Sequence, residues 1–165
     1  FVSMISFTFL YVELQYYPIG VSLNTLFRSY TGGNFFSGRN LLWELAFTHI
    51  KRSPIFGYGF EHRVLQSYGS NVSFHNTYIH LTVQGGLLGL LLFYKFLNSI
   101  WLELIGRLDD EVVRLAAAYL IGVLVYINFE VSLIGNTVGI AIYFWVILSV
   151  GLARCKAIGP RSKNV

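Results

Sequence analysis

Arg39 and the pair His75-Asn76 carry the side chains in this sequence best suited to chemistry on an anion. Arginine suits phosphate, because its planar fork stays protonated and makes bidentate, charge-assisted hydrogen bonds. Histidine suits proton transfer, because its ordinary pKa lies near neutral pH. Asn76 adds a neutral donor and acceptor beside it. Lys51, Arg52 and Arg63 lie in the same stretch and could bind the same substrate. Gly57 and Gly59 could form part of that binding surface, although their first role is backbone shape. Glu130 stands at the end of an apolar run, where an ionisable residue is a functional candidate. His49, His62 and His80 are weaker candidates. By residue type alone an interfacial arginine also serves as a snorkelling anchor, and a histidine there as a helix cap. The elements that position these residues therefore decide between the readings.

Composition points to a membrane. Of 165 residues, 55% are apolar and only 12% charged, against roughly 25% charged in a soluble domain. The mean hydropathy is +0.58. A disordered chain, a collagen and a coiled coil are excluded, and too few charges exist for the polar shell of a soluble core. The net charge of +4 comes without a dense basic run, which argues against nucleic acid as a partner. The lone Cys155 excludes an internal disulfide and a cysteine-cluster metal site. Phe1 opens inside an apolar run, so the chain reads as the C-terminal piece of a longer membrane protein.

Uncharged runs of about 20 residues are long enough to cross a bilayer. They predict an all-α, polytopic transmembrane helix bundle. Residues 1–12 read as the end of one span, and 77–102, 114–129 and 137–153 as three full spans. The loop 103–113 and the tail 154–165, together with Lys95 and Arg114 in the adjoining spans, hold seven of the 12 cations, which places them in the cytoplasm. The turn 130–136 and the long segment 13–76 then face outward. That segment holds the other five cations (Arg28, Arg39, Lys51, Arg52 and Arg63), against the orientation rule. Within it Ser37 is a candidate N-cap. Leu42, Trp43, Ala46, Phe47 and Ile50 form one stripe, which predicts an amphipathic interfacial helix over about 39–52. Pro54 stops it, and a glycine loop follows through Phe60. Asn71-Val72-Ser73 fits a glycosylation triplet that chance often produces.

Ser37-Gly38-Arg39 with Trp43, then Ile50, Pro54, Gly57 and Gly59, then His75-Asn76, resembles the C-terminal domain of the O-antigen ligase and polysaccharide polymerase family. Ligases of that family show His, then Asn, Ser or Arg, nine residues, Gly, two residues, Gly or Thr, two residues, then Asn, Val or Ile. This chain reads His75, Asn76, nine residues, Gly86, two, Gly89, two, Leu92. Leu92 departs conservatively. Gln84 stands where many relatives have Glu, so no carboxylate can act at that position.

The resemblance implies a multi-pass glycosyltransferase of the bacterial inner membrane whose site faces the periplasm. Its donor would be an oligosaccharide on undecaprenyl pyrophosphate. Its acceptor would be lipid A-core, another lipid-linked repeat unit or, in some members, a protein. The resemblance implies no metal and no other cofactor. The outer segment, with only Glu44 and Glu61 beyond Glu13 at its start and no Asp, is poorly equipped for a two-acid metal site. On this reading Arg39 neutralises the pyrophosphate leaving group and His75 is the general base. The face of Gly85, Gly86 and Gly89 could let a helix or the lipid tail approach closely. The alternative is a non-catalytic transporter or flippase component for the same lipid-linked glycans. A structural membrane module with a chance motif is a third reading.

Overall fold

The computed structural model describes residues 17–36, 39–60, 73–133 and 138–159, with isolated positions 6, 10 and 14. Most of the expected 1–12 span, the Ser37 cap, Glu61, His62, Arg63 and the tail after Gly159 lie outside them. The described residues form five helices and no strand: α1 (Pro18–Thr31), α2 (Arg39–Arg52), α3 (Thr77–Ile105), α4 (Glu111–Tyr126) and α5 (Val138–Ile158). Only α3 and α5 are both long and apolar enough to cross a membrane, judged by length and composition.

Helix α1 was not expected. Pro18 begins it and left-handed Gly32 ends it, the Gly32 N–H donating to the Arg28 carbonyl at 2.9 Å. Its stripe of Ile19, Leu23, Leu26, Phe27 and Tyr30 is exposed. Helix α2 instead buries its stripe. Trp43 and Ala46 pack with Phe74, Ile79 and Val83, and Leu42, Leu45, Phe47 and Ile50 close the rim. That face lies against the first turns of α3.

Helix α3 is interrupted at Gly86, whose φ of 63° and ψ of −167° are not helical. In an unbroken helix the Leu87 and Leu88 N–H groups would bond the carbonyls of Val83 and Gln84, four residues back. Here the loop after α2 inserts between them. The Tyr58 N–H donates to the Val83 carbonyl at 3.0 Å, and the Gly59 N–H to the Gln84 carbonyl at 2.8 Å. The Leu87 and Leu88 N–H groups donate to the carbonyls of Pro54 (2.8 Å) and Ile55 (3.1 Å). Four bonds across the break thus replace two along the helix, and every displaced backbone group keeps a partner. The approach requires glycine. A Cβ on Gly86 would overlap the Ile55 carbonyl, and one on Gly57 (φ 67°) would lie 2.5 Å from the Gln84 carbonyl. The space beside Gly86 is therefore filled by a loop, not by a second helix or a lipid.

The rest of α3 packs with α4 and α5 around Leu97, Leu104, Val113, Leu120, Phe144 and Leu148. A Cβ on Gly151 would overlap Ala116, so α4 and α5 touch at two small residues. Asp110 caps α4 by accepting from the Val112 and Val113 N–H groups and pairs with Arg154 Nε at 2.9 Å. Desolvation would raise the Asp110 carboxyl, but the Arg154 bond and the two N–H groups outweigh it and hold it below the usual carboxylate range. The Arg107 guanidinium donates to the Gly159 carbonyl at the same end. Helix α4 begins at Glu111 and stops at Tyr126, so the expected 114–129 span is displaced. Its 16 residues rise about 24 Å, short of the ~30 Å hydrocarbon core.

Candidate functional site

At the other end of the bundle, residues 127–133 form a strap tied beneath the start of α3. The Thr77 N–H donates to the Ile127 carbonyl at 2.9 Å. The Asn76 amide donates to the Asn128 carbonyl at 3.0 Å, and the Thr77 hydroxyl to the Glu130 carbonyl at 2.7 Å. The Asn128 amide bonds back to the Leu124 and Val125 carbonyls, and Val131, Ser132 and Leu133 are buried. Asn76, 0% exposed, also caps α3 by accepting the Ile79 N–H at 2.9 Å. The Asn76 side chain thus donates one bond and accepts one within the fold.

His75 precedes this cap in the left-handed region, with φ 48°. That conformation is uncommon for a side chain other than glycine, though histidine tolerates it better than most. The His75 N–H donates to the Ser73 hydroxyl at 3.1 Å. Its Nδ1 lies 3.3 Å from both carboxylate oxygens of Glu130. The two side chains are 41% and 42% exposed, so the pair is open to a substrate. With Nδ1–H directed at the carboxylate, Nε2 carries the free lone pair.

Arg39 is the first residue of α2. Trp43, four residues on and on the same face, donates its indole N–H to the Phe74 carbonyl at 2.7 Å. This bond fixes α2 beside the residue preceding His75. Arg39 Nη2 then reaches the Phe129 carbonyl at 3.4 Å, with the guanidinium carbon 6.0 Å from the Phe129 ring centroid. Arg39 Nε is buried and meets no hydrogen-bond partner among the described residues. Arg39 and His75 thus contact consecutive residues of the strap, Phe129 and Glu130.

The other candidates are not gathered there. Lys51 and Arg52 are exposed at the far end of α2, about 18 Å along the axis from Arg39. Gly57 and Gly59, with φ 67° and 90°, shape the loop that enters the break in α3. His49 Nδ1 bonds the Leu45 carbonyl and its ring packs on Tyr58. His80 Nδ1 is buried and unpartnered among the described residues, its ring 6.1 Å from that of Phe74. Glu130 is the residue whose placement beside His75 the sequence understated. Its position at the end of an apolar run was the only sign of it.

A cation with an unsatisfied N–H beside a carboxylate-held imidazole can bind an anionic leaving group and accept a proton from a hydroxyl. A family model described as O-Antigen ligase matches residues 1–94, more than half of the chain. The chain belongs to this family. The matched stretch of the O-antigen ligase family covers Arg39, the loop at Gly57, His75-Asn76 and the break at Gly86, and ends before the strap with Glu130. The family is a glycosyltransferase-like class of membrane enzymes whose substrates are lipid-linked glycans. No curated protein and no solved structure matches the chain.

Proposed function

We propose that this chain carries the glycosyl-transfer site of a multi-pass enzyme in the bacterial inner membrane. The site faces the periplasm and takes glycan from undecaprenyl pyrophosphate. The observation that carries the reading is the meeting of Arg39 and the His75–Glu130 pair on consecutive strap residues. The acceptor hydroxyl oxygen attacks the anomeric carbon of the donor sugar. His75 Nε2 takes the hydroxyl proton, and Glu130 stabilises the imidazolium that forms. The bond from the anomeric carbon to the phosphate oxygen breaks, and its electron pair leaves with the pyrophosphate. Arg39 neutralises the charge that grows there, in a half-buried setting where the interaction is stronger than in water. Charge neutralisation by arginine leaves no step in this scheme that calls for a metal.

The acceptor is lipid A-core in a ligase or a second lipid-linked repeat unit in a polymerase. The bundle crosses the membrane with the Arg107, Arg114, Arg154 and Lys156 end in the cytoplasm, consistent with the cation bias. The test is replacement of Arg39 or His75 by Ala in the full chain in its native membrane. Both variants should accumulate normally and make no product. Normal product from either removes that residue from the site. Deleting the gene separates the two acceptors: single repeat units mean a polymerase, and finished polymer left on the carrier lipid means a ligase.

A further inference from the structure

We infer that a groove between α4 and α5 holds the hydrocarbon tail of the lipid-linked donor, an inference that rests on the reading of Arg39 and His75 as its pyrophosphate end. The groove has a volume of about 540 Å³. Tyr119, Gly122, Val123 and Tyr126 form its α4 wall, and Ile140 and Phe144 its α5 wall. That is the usual size of a ligand site, but the lining is almost wholly hydrocarbon and aromatic ring. A sugar or a phosphate there would lose its hydrogen bonds to water without replacement. An apolar chain would lose nothing.

Position supplies the occupant. Ser132 and Leu133 complete the wall, and they continue the strap that carries Glu130. Two residues of extended chain span at most about 7 Å, so one end of the groove opens beside the His75–Glu130 pair. From there the wall runs about 10 Å along α4, from Tyr126 to Tyr119, between α4 and the span-length helix α5. A donor whose phosphate meets Arg39 therefore finds an apolar path for its tail beside the site. Ser132 marks the junction. Its hydroxyl is buried and unpartnered among the described residues, as a group awaiting a polar atom of the ligand would be. The glycine face of α3 offers no such path at Gly86, where the backbone of Ile55 and Phe56 fills the space.

Gly122 gives a clean test, because a Cβ there meets nothing within 4 Å. The Gly122→Phe variant of the full chain, in nanodiscs, is assayed with two donors that carry the same glycan and pyrophosphate. One has an undecaprenyl tail, the other a single methyl group too short to enter the groove. The variant should raise KM for the undecaprenyl donor about tenfold, roughly the loss from exposing two buried methylenes. Its kcat and its KM for the methyl donor should stay unchanged. An unchanged undecaprenyl KM, or an equal rise for both donors, overturns the proposal. A diazirine near the pyrophosphate end of the undecaprenyl tail tests the wild-type protein directly and guards against a variant that fails to fold. Labelling within 119–126 or 140–144 supports the groove, and labelling confined to other segments overturns it. A wrong reading of Arg39 and His75 would appear differently, as full activity in their alanine variants with both donors.

Discussion

Replacing Gly86 by alanine tests whether the break in α3 is built in or incidental. The native φ of 63° and ψ of −167° fall in a region open essentially to glycine alone, so alanine there costs about 1–3 kcal/mol. The added Cβ also overlaps the Ile55 carbonyl, so the loop must withdraw. Withdrawal first breaks the bonds from Leu87 to Pro54 and from Leu88 to Ile55, at about 1 kcal/mol each. The variant has a cheaper route. Alanine is a good helix former, and a straight α3 would restore the two bonds from Leu87 and Leu88 to Val83 and Gln84. The loop is then expelled with four backbone groups bare. Either route loses about 2–5 kcal/mol. Thermal unfolding in detergent reads the loss. Hydrogen exchange identifies the cause, because the Tyr58 and Gly59 amides should lose their protection. Gly89→Ala, three residues on, is the control. Its Cβ would have no neighbour closer than 3.9 Å, so the change should be neutral or stabilising by up to about 1 kcal/mol. A Gly86→Ala protein with native stability and a protected loop would refute the reasoning.

Glu130→Gln should lower kcat roughly tenfold to a hundredfold with little change in KM, since the imidazolium loses its counter-charge; an unchanged kcat means that Glu130 does not support His75. Trp43→Phe removes the indole donor from the buried Phe74 carbonyl and should destabilise the protein by about 1–2 kcal/mol in thermal melts. Lys51→Ala with Arg52→Ala should leave KM for the donor within about twofold at moderate salt, because both lie some 18 Å from Arg39. Asp110, held below its ordinary pKa of about 3.9, contributes stability that is complete above that value and lost as pH falls through the lowered one. Asp110→Asn keeps a capping side chain and should flatten the acid limb of a melting-temperature profile below about pH 4.

What could be read from the sequence was local. The stripe of Leu42, Trp43, Ala46, Phe47 and Ile50 repeats every helical turn, and it is the face that α2 packs. Pro18 and Gly32 mark the two ends of α1 as plainly, with a stripe from Ile19 to Tyr30 between them. In so apolar a chain that stripe stood out too little to be noticed. Twelve residues of helix already separate Arg39 from Lys51, so their failure to meet could have been worked out from the rise alone. The remaining features are long-range. Gly86 inside an apolar run reads as helix, and only the docking of a loop some thirty residues earlier shows otherwise. Tyr126 ends α4 because Asn76 and Thr77 bind the residues beyond it. His75 and Glu130 are 55 positions apart, with no pattern to pair them.

The break in α3 also bears on the order in which the protein is made. An unpaired backbone group is costly in hydrocarbon, so a helix with a gap cannot safely wait there for a partner. Pro54 to Gly59 precede Val83 to Leu88 in the chain and leave the ribosome first. The patch therefore exists before the gap it closes. A circular permutant with the loop after α3 would keep every native contact and reverse that order. Such a molecule should be as stable as the parent once formed, yet harder to insert into a membrane.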